Sequence, residues 1–233
     1  MRCGRALAVL APHQRLAAVD SGTARAGVYS YDRRMPQPTT PVLTHTHTLA
    51  RVVTEVFAPA VLVGGLLLLQ PLLSPGVTWV QGMVAAVFAV GLPLGLILWM
   101  KRRGSVTDHH VGVREHRAPV LAASAVSLGI GALALVQLQA PVALFGEIGG
   151  VFIGLVLCLA ANLVWKLSVH AAVAVYVGLA LLAPLPTFGA ALAVLLASVV
   201  GWSRVTLGDH TPGQVLAGNA VGCVVYAATL LLP

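Results

Sequence analysis

Charge is scarce in this chain. Asp, Glu, Lys and Arg make up 9% of its 233 residues, where a soluble domain carries roughly 25%. Hydrophobic residues fill 58%, and the mean hydropathy is +0.90. Such a composition excludes a soluble domain and reads as an integral membrane protein. Cysteine is equally sparse: Cys3, Cys158 and Cys223 are scattered, two of them inside apolar runs. That spacing gives neither a disulfide framework nor a metal site, and leaves small thiols packed among helices. There is no Asp-rich pair to hold Mg²⁺, and no metal or cofactor is expected. Leu7 to Pro12 is too short for the core of a signal peptide with a convincing cleavage site.

What charge there is has one sign in excess, +7 overall. Six arginines lie before residue 50 and the other cations cluster near the ends of apolar segments. This pattern fits membrane topology and anionic headgroups, not a nucleic-acid groove. Residues 1–50 show no sustained apolar period and are expected to form a disordered basic tail, with residues 51–233 as the transmembrane domain. Met35 is an alternative first residue. His45 and His47 read as polar tail residues and not as metal ligands.

Apolar segments follow at about 52–73, 77–100, 119–139, 142–164, 169–184, 187–206 and 213–232. A span needs about 20 residues, so most qualify and 169–184 is marginal. The expected fold is all-α, a polytopic bundle of six or seven transmembrane helices. Ser74-Pro75-Gly76, Gln139-Ala140-Pro141 and Pro184-Leu185-Pro186 break the segments apart. Small residues such as Gly149, Gly150, Gly154 and Gly178 permit close helix packing, and allow a dimer without requiring one.

Parity then places three polar clusters on one side of the membrane: 108–119, 165–170 and 202–214. Lys101, Arg102, Arg103, Arg114, Arg117, Lys166 and Arg204 all fall on that side and the opposite connectors carry no Lys or Arg. The positive-inside rule makes it the cytoplasmic face of a multi-pass cell-membrane protein. Each cluster ends where an apolar helix begins. Pro119 and Pro212 suit first helical positions, and Ser168 and Thr211 suit N-caps. Three helix N-termini with their free N–H groups would form an anion site. Arg117, Arg204 and two histidines beside them point to phosphate.

These residues resemble the phosphatidic acid phosphatase type 2 and vanadium haloperoxidase superfamily, whose motifs are K-x6-R-P, P-S-G-H and S-R-x5-H-x3-D. Here the first reads His110, six residues, Arg117, Ala118, Pro119. The second reads Leu167-Ser168-Val169-His170. The third reads Ser203-Arg204, five residues, His210, three residues, Gln214. The resemblance spans about residues 100–214 and implies a lipid phosphate or prenyl (di)phosphate phosphatase. It makes His210 the nucleophile that becomes a phosphohistidine and His170 the general acid. Arg117, Arg204, Ser168, Ser203 and His110 would bind the substrate phosphate.

Two positions depart from the pattern. His110 replaces the lysine, so its charge depends on pH. Gln214 replaces the aspartate that orients the nucleophile; it could still accept an imidazole N–H, or it could simply close a T-x-x-Q capping box with Thr211. Asp209 or Asp108 would then supply the missing negative charge. Two other functions stay open: a degenerate relative that binds or moves phospholipids, and a prenyl or alcohol-phosphate transferase, which EDTA sensitivity would favour. Glu147, inside a predicted span near the opposite face, has no assigned role.

Overall fold

A computed structural model describes residues 45–103, 114–182, 185 and 187–232. Every regular element among these residues is helical. The helices are α1 (His45–Val56), α2 (Pro59–Leu73), α3 (Trp79–Ala86), α4 (Leu92–Arg102), α5 (Arg114–Gln137), α6 (Val142–Val164), α7 (Val169–Leu182), α8 (Gly189–Thr206) and α9 (Pro212–Thr229). A π-helical stretch, Val87–Gly91, joins α3 to α4. The all-α reading holds, and each of the seven apolar segments contains a helix.

The first segment is not one helix. Pro59 opens α2, and its ring pushes Ala58 into an extended conformation (ψ 146°). The chain therefore bends by 40° between α1 and α2. Helix also begins at His45, so His45 and His47 lie in the first turn of α1 and not in a tail that runs to residue 50.

Among the described residues three helical stretches are long and apolar enough to cross a membrane: Trp79–Met100, Val142–Val164 and Gly189–Thr206. Counting the bent α1–α2 pair as one span makes four. Two further apolar helical stretches among the described residues, Ala122–Gln137 and Val169–Leu182, are shorter. Helix α7 has 14 residues, about 21 Å at 1.5 Å per residue, against roughly 30 Å of hydrocarbon. These apolar helices are compatible with an integral membrane protein. So is the outside of the bundle, where Leu72, Val126, Leu133, Val194 and Leu216 are each more than 60% exposed.

The marginal segment becomes the central helix. Eight of the 14 residues of α7 are buried, and it packs against α2, α8 and α9. A helix apolar on every side is one that is surrounded. Its contact with α9 is close because Gly218 and Gly222 lie on it. A methyl group at Gly218 would overlap the Ser168 carbonyl, and one at Gly222 would overlap that of Ala172.

At the other end of the bundle sits a buried polar chain. The Tyr176 hydroxyl donates to Glu147 Oε2 at 2.7 Å. Gln70, 1% exposed, also hydrogen-bonds Glu147, and its Oε1 accepts from the Ser74 hydroxyl at 2.9 Å. Glu147 thus has a structural role: it ties α6 to α2 and α7.

Candidate active site

The site grows from the end of α8. Gly208 has φ +72°, the left-handed conformation that suits a residue without Cβ. The Gly208 N–H donates to the Val205 carbonyl at 3.0 Å and the Asp209 N–H to the Arg204 carbonyl at 3.2 Å. This pair of bonds is a Schellman motif. The His210 N–H also donates to the Arg204 carbonyl, at 3.3 Å. Five residues beyond Arg204 the chain has therefore folded back over it, which explains why arginine and histidine six positions apart meet.

The fold-back brings Asp209 Oδ2 within 3.0 Å of an Arg204 terminal nitrogen. Arg204 is only 5% exposed. Its Nε–H is buried and has no hydrogen-bond partner among the described residues. A buried guanidinium with one donor unused is suited to an anion that arrives with several acceptor oxygens.

His210 leads directly into α9. Thr211 caps that helix: its hydroxyl accepts from the Gln214 N–H at 3.3 Å, and Gln214 Oε1 accepts from the Thr211 N–H at 3.2 Å. The same Gln214 oxygen lies 3.2 Å from His210 Nδ1. Both sequence readings of Gln214 are therefore realised in one atom. A backbone N–H can only donate, so the Gln214 atom it meets is the oxygen. An amide oxygen can only accept, so the proton of neutral His210 sits on Nδ1. Nε2 is left with its lone pair, the form a nucleophile needs.

His210 is held below the usual histidine pKa, chiefly by burial and next by the Arg204 charge. The Gln214 hydrogen bond opposes the shift, Lys166 adds to it and Asp209 opposes it. Neutral imidazole therefore persists to a lower pH than in an exposed histidine.

The start of α7 is stapled to the start of α9. The Ser168 N–H donates to the Gln214 carbonyl at 3.3 Å, and the Ser168 hydroxyl caps α7 by accepting from the Ala171 N–H at 3.4 Å. Lys166 Nζ donates to the Asp209 carbonyl at 2.8 Å. Two residues into α7, His170 is buried.

The expected site residues are thus brought together unevenly. Arg204, His210, Gln214, Asp209 and Ser168 share one end of α7, α8 and α9, with His170 on the first turn of α7. Ser203 departs from its expected phosphate contact. Its hydroxyl donates to the Val200 carbonyl at 2.7 Å and lies 3.1 Å from the Thr54 hydroxyl, facing α1. The Asp209 carboxylate contacts Arg204 and acts on the His210 ring through its charge. Asp108 and His110 lie outside the described residues. Arg117 is in the first turn of α5, and its side chain lies outside them as well.

Three contributors had not been assigned from the sequence. Lys166 follows the topological pattern of cations, while Thr54 and Glu55 reach α8 from a helix almost 150 residues earlier. No spacing rule links positions so far apart.

With this geometry in place, comparison with protein families finds a match over part of the chain. Residues 151–233 match the PAP2 superfamily. The matched stretch contains α7, α8 and α9, and with them Ser168, His170, Arg204, His210 and Gln214. It supports a phosphatase-type family and, at that level, a phosphoester hydrolase. No curated protein and no solved structure matches the chain.

Proposed function

We propose that this chain is an integral membrane phosphatase that acts on a lipid phosphate or prenyl (di)phosphate through a phosphohistidine on His210, without a metal. The observation that carries the reading is the His210–Gln214 contact beside buried Arg204. It supplies a neutral imidazole of defined tautomer next to a guanidinium with an unused donor.

In the first step His210 Nε2 attacks the terminal phosphorus, forming an N–P bond as the P–O bond to the leaving group breaks, which is a lipid alkoxide or, for a diphosphate, a lipid monophosphate. His170 gives its proton to the departing alkoxide, or to the departing phosphate when the substrate is a diphosphate. Arg204 and Arg117 hold the equatorial oxygens, and the Ser168 hydroxyl and nearby N–H groups of the α7 and α9 starts add dipoles of the same sign. In the second step water attacks phosphorus, the N–P bond breaks, and His170 takes the water proton. Inorganic phosphate leaves. The lipid chain lies among the apolar helices with its headgroup at the polar end, which the distribution of Lys and Arg assigns to the cytoplasm.

A second reading rests on Gln214. With an amide and not a carboxylate hydrogen-bonded to the nucleophile, the imidazolium formed in the reaction is stabilised less, by the charge of Asp209 alone. A relative that binds lipid phosphate without hydrolysing it would keep Arg204 and tolerate loss of His210. The test is phosphate release by the detergent-purified protein from prenyl and glycerolipid phosphates in EDTA, with His210→Ala alongside. EDTA-resistant turnover that vanishes in the variant is the expected result. Phosphate binding without turnover would favour the second reading, and turnover surviving in the variant would remove His210 as the nucleophile.

A further inference from the structure

Helix α1 lies outside the matched family segment, yet it packs against α8 at the level of Arg204. The Thr54–Ser203 hydroxyl contact, 3.1 Å and buried, fixes the register. The next residue on each helix is charged: Glu55 on α1 and Arg204 on α8. Glu55 is exposed, and its carboxylate acts electrostatically on the Arg204 guanidinium, as that of Asp209 does. We propose that Glu55 is a specificity-determining residue of the Arg204 phosphate site, setting how much negative charge a bound phosphate group can carry. The proposal rests on the phosphatase reading only in taking Arg204 to be a phosphate ligand.

The argument is one of charge. Among the described side chains here, Arg204 and Lys166 are positive and Asp209 and Glu55 negative. Arg51 lies one turn before Glu55 on the same face of α1, where it can offset part of that carboxylate. An incoming phosphate must share Arg204 with Asp209, which contacts it, and with the charge of Glu55, which acts on it from α1. Asp209 is tied down by the Schellman turn and by its contact with the guanidinium, whereas Glu55 sits on a separate helix. Like charges near one cation repel, and the repulsion grows with each added charge on the ligand. Glu55 therefore favours a phosphate monoester over a diphosphate. Because Glu55 is exposed, water and salt reduce the effect.

The test is calorimetric binding of inorganic phosphate and of pyrophosphate to the full chain in detergent, at low salt and mildly alkaline pH, for wild type, Glu55→Gln and Glu55→Asp. Glu55→Gln should tighten phosphate by about 3- to 10-fold and pyrophosphate by more, and Glu55→Asp should stay near wild type. Equal tightening of both ligands, or none, overturns the proposal. Weaker binding of both in Glu55→Gln overturns it too, and would mean that Glu55 merely holds Arg204 in place. Wild type that binds neither anion sinks this inference together with the phosphatase reading. Wild type that binds phosphate with the expected Glu55 effect, yet hydrolyses no lipid phosphate, sinks only the latter.

Discussion

The most informative single position is Gln214, because one oxygen serves both the α9 cap and the His210 ring. Replacing it with leucine removes both hydrogen bonds at similar volume. Loss of a capping interaction costs about 1 kcal/mol, which in a chain of this size lowers Tm by roughly 2–4 °C. The Thr211 N–H is at an exposed position and water replaces the lost acceptor, so the cost should not be larger. For catalysis, a neutral hydrogen bond is worth about 1 kcal/mol, or roughly fivefold. Release of the tautomer adds to that, since only the Nδ1–H form presents a free Nε2, and kcat should fall about 10-fold. Glutamate at the same position keeps both contacts and places a full negative charge against Nδ1–H. It favours imidazolium and raises the His210 pKa from its depressed position. The base must be neutral, so the acid limb of the kcat/KM profile should move to higher pH in Gln214→Glu. In wild type that limb should lie below the usual histidine value of about 6.5. Thermal unfolding and a pH–rate profile for the three proteins decide the matter. If the leucine variant loses stability but keeps kcat, Gln214 is a helix cap alone. An acid limb that does not move with glutamate would show that residue 214 does not face Nδ1 during turnover.

The other expectations concern the site's chemistry and its scaffold. His210→Ala should abolish phosphate release that EDTA leaves intact in wild type, read by a phosphate assay. Glu55→Gln should tighten phosphate and, more strongly, pyrophosphate, as calorimetry would show. Gly222→Ala forces a methyl group against the Ala172 carbonyl and the Val175 side chain, so α7 and α9 must separate. It should cost about 1–3 kcal/mol in thermal unfolding and reduce activity through the Ser168–Gln214 staple. Tyr176→Phe leaves Glu147 without its 2.7 Å donor. It should lower stability by about 1–3 kcal/mol with little change in KM, because the polar chain lies away from the catalytic end.

Much of this protein is legible along the chain. Low charge and long apolar runs determine an all-α architecture, because a backbone deprived of water must satisfy its own hydrogen bonds and does so in helices. Local spacing also determines half of the site. From Arg204 to Gln214 everything follows from short-range geometry: a glycine turn, a threonine cap and a glutamine three residues later. That is why both roles of Gln214 are legible in its spacing from His210 and Thr211.

What the sequence left open was decided by long-range packing. Hydropathy marks α7 as the weakest span, since a window sees length and composition but not neighbours; enclosed by α2, α8 and α9, it is the centre of the bundle. Ser203 sits in the motif beside Arg204, yet successive residues of a helix point about 100° apart, and the Ser203 hydroxyl turns to Thr54 instead of to the site. Glu147 looks misplaced in an apolar run until Tyr176 and Gln70 arrive from two other helices. Thr54 and Glu55 reach the catalytic end only because Pro59 bends the chain and lays α1 along α8. Contacts between residues well over a hundred positions apart follow no periodicity, so only the folded bundle determines them.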